Sequence, residues 1–186
     1  MLPMDKRSHH SDIAAVELDQ LIHLFFEDPA QLGCFEEVTA DQVPEPSRSL
    51  LAHDQHMTVT VEKHHNTAVN VRVLQSRIDG DRYSRKSLLT RQSDGGVVQY
   101  GIVRLNKAVL AAEVREEIEQ QGSPLGRILI NHGVLRVVKL LSLLKIECGP
   151  ELASVFGFES GETCYGRTAL IYCDGSPAIE LLEIVS

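Results

Sequence analysis

Apolar residues at Ile13, Val16, Leu21, Leu24 and Phe25 recur at helical spacing, and Leu18 and Ile22 widen the stripe. The spacing predicts a helix from Ile13 to Phe26. Ser11 or Asp12 can cap its start, and Asp28-Pro29 ends it, because a residue before proline is pushed out of the helical region. Residues 1–11 are polar, show no period and read as a disordered N-terminal tail. Residues 27–48 carry Pro29, Pro44 and Pro46 among many acids and read as a loop or a short excursion.

The period then changes. Val69, Val71 and Val73 alternate with Asn70 and Arg72, the two-residue repeat of a half-buried strand. Asp79-Gly80-Asp81 is a turn, residues 83–91 form a second strand, and Ser93-Asp94-Gly95-Gly96 signals a hairpin into a third strand over residues 97–105. Val109, Leu110, Ala112, Val114 and Ile118 return to helical spacing between Lys107 and Gln121, where Gly122-Ser123 stops the helix. Pro124-Leu125-Gly126-Arg127 opens the next element, with Ser123 as N-cap and Pro124 at the first helical position. Residues 134–147 fit a helix or a strand by periodicity alone. A short helix from Pro150 to Phe156 precedes a terminal hairpin. Its first strand runs through Tyr165-Gly166-Arg167-Thr168 and the apolar residues to Tyr172. An Asp174-Gly175-Ser176-Pro177 turn and a second apolar run follow. Tight Asp-Gly turns join antiparallel strands, so the expectation is an α+β fold: residues 12–186 as a single domain on an antiparallel sheet flanked by helices.

Composition narrows the function classes. The chain has 186 residues, 43% hydrophobic and 24% charged, enough for one domain with a real core. A net charge of −8 without a basic cluster is a poor match for nucleic acid or an anionic membrane surface, while a local cationic pocket for a small anion remains compatible with it. No run approaches the roughly 20 apolar residues of a membrane span, and the polar, His-rich start has no apolar core of a signal peptide. Cys34, Cys148, Cys164 and Cys173 show no CxxC spacing and read as reduced, mostly buried thiols of a cytoplasmic protein.

Candidate chemistry sits in few places. His53 and His56 are three apart, as zinc ligands on a helix can be, but no carboxylate or cysteine is placed with them, so hydrogen-bonded histidines are expected and no metal. There is no GxSxG elbow and no phosphate-binding loop. Arg85, Arg104 and Arg127 each lie at the start or end of an apolar element, where a guanidinium can hold a carboxylate bidentately. Glu183 lies inside the last apolar run, where a carboxylate needs a partner or a function. Glu180 lies in the same run on the opposite strand face.

Four segments in order resemble the chorismate pyruvate-lyases. Met57-Thr58 followed by Glu62, Arg85 followed by Leu88-Leu89, Pro124-Leu125-Gly126-Arg127, and Gly166-Arg167 with Gly175, Pro177 and Glu183 all match that family's motifs. The agreement spans residues 50–186. The resemblance implies a chorismate lyase-like fold, an antiparallel sheet of about six strands with an internal ligand pocket. It implies cofactor-free elimination of pyruvate from chorismate to give 4-hydroxybenzoate. Arg85 would hold the ring carboxylate. Glu183, its acidity lowered by burial, would act as general acid or base. The backbone at Met57 and Leu125 would help close the pocket. His56 stands where the family has serine, Val61 where it has phenylalanine, and Ile102 where some members carry a second arginine, a role Arg104 can take on the same strand face. The competing expectations are a non-enzymatic sensor of a small aromatic carboxylate, like the effector domains of some transcription regulators; a relative acting on another aromatic or enolpyruvyl acid; and a mere Arg85–Glu183 ion pair.

Overall fold

The computed structural model describes residues 17–186, so the expected tail and the first residues of the expected first helix lie outside the described part. In chain order the elements are α1 (Leu18–His23), β1 (Gly33–Val38), α2 (Ser47–Leu51), α3 (Met57–His65), β2 (Val69–Asp79), β3 (Arg82–Arg91), β4 (Val97–Asn106), α4 (Ala112–Gln120), α5 (Leu125–Asn131), β5 (Arg136–Cys148), α6 (Pro150–Phe156), β6 (Thr163–Cys173) and β7 (Ser176–Val185). The seven strands form one antiparallel sheet in the order β1-β5-β6-β7-β4-β3-β2. This is the expected α+β single domain with one strand more than the six expected.

The extra strand is β1, in the stretch read as a loop. It pairs with the C-terminal half of β5 at the sheet edge, where exposed Glu36 and Glu37 suit a strand with one open side. Residues 134–147 resolve as strand because β5 lies between β1 and β6 and both of its backbone edges find partners there. The turns behave as their sequences demand. Asp174 and Gly175 both have positive φ (49° and 81°) in the β6–β7 hairpin, the paired left-handed conformation of a two-residue turn. Pro124 caps α5, with Leu125 as its first residue, one position off the expected boundary.

Paired strand residues share a face, so the register divides the core. On one face Leu88, Tyr100, Ile102, Leu182, Ile184 and Ile146 pack against α1, Phe26 and α6. The other face carries two clusters. Tyr83, Val103, Leu105, Ile179 and Leu181 meet α4 and α5, while Leu89, Val98, Leu143 and Val185 gather with Leu50 and Leu51 of α2 and Met57 and Val61 of α3. The seam between these two clusters, over the middle of the sheet, is where apolar packing gives way.

Candidate functional site: a buried cationic cavity

The sheet itself explains the gap. Facing α3 and α5, Arg85 of β3 lies opposite Val103 of β4, and Ser87 lies opposite Gly101, which in turn lies opposite Glu183 of β7 and then Arg167 of β6. Ser87 and Gly101 are the two smallest residues of that row, so the sheet surface dips there. Met57 and Thr58 of α3 and Leu125 and Gly126 of α5 roof the dip, and His56 closes one side. Gly126 permits the close approach of the two helices: a Cβ at this position would stand 2.9 Å from Thr58 Oγ1. The resulting cavity leaves about 50 Å³ open to the centres of water-sized molecules. That suits a few waters or a small ligand.

Its walls mix apolar side chains, among them Val71, Leu89, Val103, Val138, Ile171 and Leu181, with the polar groups of His56, Arg85, Gln99, Arg167 and Glu183. Arg167 is fully buried and fully used. Its Nε donates to Glu183 Oε2 at 2.7 Å, Nη1 donates to the carbonyl of His53 at 2.7 Å, and Nη2 donates to that of Gln55 at 2.9 Å. The guanidinium thus ties the loop between α2 and α3 to the sheet. Arg85 is the opposite case. It is 2% exposed, yet its Nη1 has no hydrogen-bond partner. Burial pulls its pKa below the usual guanidinium value, opposed by neighbouring Tyr83, and an arginine so placed stays charged. One cation is therefore compensated and one is open.

His56 accepts a hydrogen bond from Arg136 Nε at 2.7 Å through its Nε2. Burial, and then the charges of Arg136 and Arg167, depress its pKa to about 4, so at neutral pH the ring is uncharged. His53 is also depressed, chiefly by burial, and its Nε2 meets the Leu50 carbonyl at 2.6 Å. Both histidines are tied to the framework. Among the described residues no group of His, Cys, Asp or Glu side chains has the arrangement of a metal site.

Four of the six sequence-predicted site residues line the cavity: Arg85, Glu183, Met57 and Leu125. Two do not. Arg104 shares a face with Ile102 as expected, but that is the α1 face, away from the cavity; it forms a bidentate pair with Glu180 at 2.5 and 2.8 Å. Arg127 points from α5 to Glu62 of α3 and bonds its carboxylate, which braces the two roof helices. The expected Arg85–Glu183 pair is replaced by Arg167–Glu183. Gln99, Ser87 and Arg167 were missed as site residues. Their signal was register: each sits on the same strand face as Arg85 or Glu183, which becomes visible only once the pairing is known.

No family model and no curated relative matches the sequence. Solved structures do resemble the fold. The effector domain of PhnF from Mycobacterium smegmatis superimposes with a TM-score of 0.52 and 13% identity, over 70% of this chain and 87% of that domain. Against PhnF whole, the TM-score is again 0.52 at 12% identity, with 70% of this chain covered but only 63% of the regulator. The ligand-binding domain of a protein assigned to the GntR family of transcriptional regulators in Bordetella bronchiseptica gives 0.50 at 17% identity, over 63% of this chain and 85% of that one. The chain has the chorismate lyase-like fold. The lyase activity expected from the sequence finds no support in these neighbours. These neighbours are a regulator and regulator ligand-binding domains, no lyase among them, and the carboxylate expected to move a proton pairs with Arg167 through its Oε2. Among the described residues no helix is long and apolar enough to cross a membrane.

Proposed function

We propose that this chain is a small-molecule sensing domain whose cavity takes a small carboxylate, aromatic carboxylates included, and that Arg85 holds its anionic group. The observation that carries this reading is the unpartnered Nη1 of Arg85, a buried residue that lines the cavity. A buried donor without an acceptor costs about 1–3 kcal/mol, more when charged, and such costs persist at sites that a ligand completes. With Arg167 neutralised by Glu183 and His56 uncharged, the cavity holds one net positive charge. A monoanion satisfies both the charge and the hydrogen bond. The fold shared with regulator effector domains supports sensing over catalysis. Glu183 Oε2 is held by Arg167 and His56 Nε2 by Arg136, which leaves Arg85 as the uncompensated cation of the cavity.

The test is thermal stabilisation by small carboxylates, beginning with 4-hydroxybenzoate, which binds only the folded state if the reading holds. Saturable stabilisation is expected for the wild type. Arg85→Lys is expected to weaken it roughly tenfold or more, since an ammonium cannot reproduce the guanidinium fork. Identical stabilisation of the variant would rule out Arg85 as the anion holder.

A further inference from the structure

Arg85 Nη1 has one counterpart. Among the described residues, only two buried side-chain polar atoms lack any hydrogen-bond partner: Arg85 Nη1 and Gln99 Oε1. Both residues line the same cavity. They have opposite sense, one a charged donor and the other a neutral acceptor. Two unrelated packing faults falling in one small cavity is a poor explanation when buried polar groups are nearly always satisfied.

The register places them for joint use. Gln99 lies opposite Leu89, two residues along β4 from Gly101, while Arg85 lies two residues along β3 from Ser87, on the other side of the Ser87–Gly101 pair. The Gln99 amide folds back toward that pair, since its Nε2 is 3.7 Å from where a Gly101 Cβ would be. The floor beneath a bound molecule is therefore the Ser87–Gly101 dip, with the Arg85 side chain coming from one end and the Gln99 amide folded back over the other. The backbones of Arg85 and Gly101 are separated by one strand spacing and two residues of rise, about 8 Å.

We infer that the ligand is bifunctional, carrying a carboxylate for Arg85 and a hydroxyl or amine hydrogen for Gln99 Oε1, and that Gln99 is the residue that selects hydroxy or amino acids over plain acids. This rests on the anion reading proposed above and extends it to the far end of the ligand. The physical basis is asymmetric discrimination. A site with a buried acceptor rejects an analogue lacking the donor because the acceptor then stays desolvated and unpaired. Gln99 would thus be silent toward the carboxylate and decisive for the substituent opposite it.

The experiment is calorimetric titration of the whole chain with benzoate, 3- and 4-hydroxybenzoate and 4-methoxybenzoate, repeated on Gln99→Met. For the wild type, the better-placed hydroxybenzoate should bind about tenfold more tightly than benzoate, and 4-methoxybenzoate should bind no better than benzoate. In Gln99→Met that preference should fall to below about threefold, with benzoate affinity kept or improved. Equal binding of benzoate and both hydroxybenzoates by the wild type overturns the Gln99 assignment and leaves the anion reading standing. A methoxy acid favoured over the hydroxy acids also overturns it, because the amide would then be donating. Failure of every acid to bind overturns the anion reading itself. If Gln99→Met is unstable, Gln99→Glu serves: it keeps shape and acceptor, so the preference for the hydroxy acid over benzoate should survive while the added charge weakens every acid, and loss of that preference overturns the assignment.

Discussion

An arginine buried without a partner should be a liability to the empty protein. Arg85→Met keeps the length of the side chain and removes the unsatisfied charge. It is expected to raise the stability of the unliganded chain, by about 1–3 kcal/mol in chemical denaturation, while abolishing stabilisation by carboxylates. The same substitution at Arg167 should act in the opposite direction. There Glu183 and the His53 and Gln55 carbonyls lose their donor, so Arg167→Met should cost about 3–5 kcal/mol. Two arginines on one sheet face, both nearly inaccessible, are thus separated by the sign of their mutational effect. His56 adds a pH signature. Its pKa falls from 6.5 in the unfolded chain to about 4 in the folded one, so the unfolded state binds more protons between those values. The resulting stability is complete above pH 6.5 and is lost as pH falls toward 4. Denaturation curves of His56→Gln across this range should show a shallower loss than those of wild type.

At the scale of elements, the roof depends on one small residue. A methyl group at Gly126 meets Thr58 Oγ1 at 2.9 Å, so Gly126→Ala must push α5 from α3 or displace the hydroxyl. The expected cost is about 1–3 kcal/mol, with weakened ligand binding because Thr58 and Leu125 border the cavity, as measured by denaturation and titration of the same variant. Elements with strong local signals were legible in the sequence. The β3–β4 and β6–β7 hairpins follow from their Asp-Gly turns, and α6 matches the Pro150–Phe156 expectation because proline opens it and Gly157 ends it with φ of 72°. Elements decided by neighbours were not legible. α3 reads Met-Thr-Val-Thr-Val, a strand-like composition, and is helical because Met57, Thr58 and Val61 then share one buried face against α5 and the sheet. β1 reads as an acidic loop and becomes a strand only because β5 offers an edge.

For the whole molecule, the same division holds. The sequence resemblance brought out Arg85, Glu183, Met57 and Leu125, which converge from four separate stretches of chain on one cavity. It did not reveal that Glu183 is already bound, because Arg167 reaches it across the β6–β7 hairpin, whose register shifts between Ile171 and Tyr172 and so is not fixed by the turn alone. Arg104 illustrates the matching error. Its strand parity was read properly, but which face carries the site was a property of the sheet and its covering helices, and the bidentate partner Glu180 lies on the opposite one. Fold and cavity therefore carry over from the resemblance, while the lyase chemistry does not. What remains is one uncompensated cation lining a small cavity of mixed apolar and polar walls.

The most direct test is titration calorimetry of 4-hydroxybenzoate into wild type and Arg85→Met at neutral pH. The account predicts saturable one-site binding to the wild type and none to a variant that is at least as stable. Equal binding to both proteins, or none to wild type by this or any other small carboxylate, would contradict it.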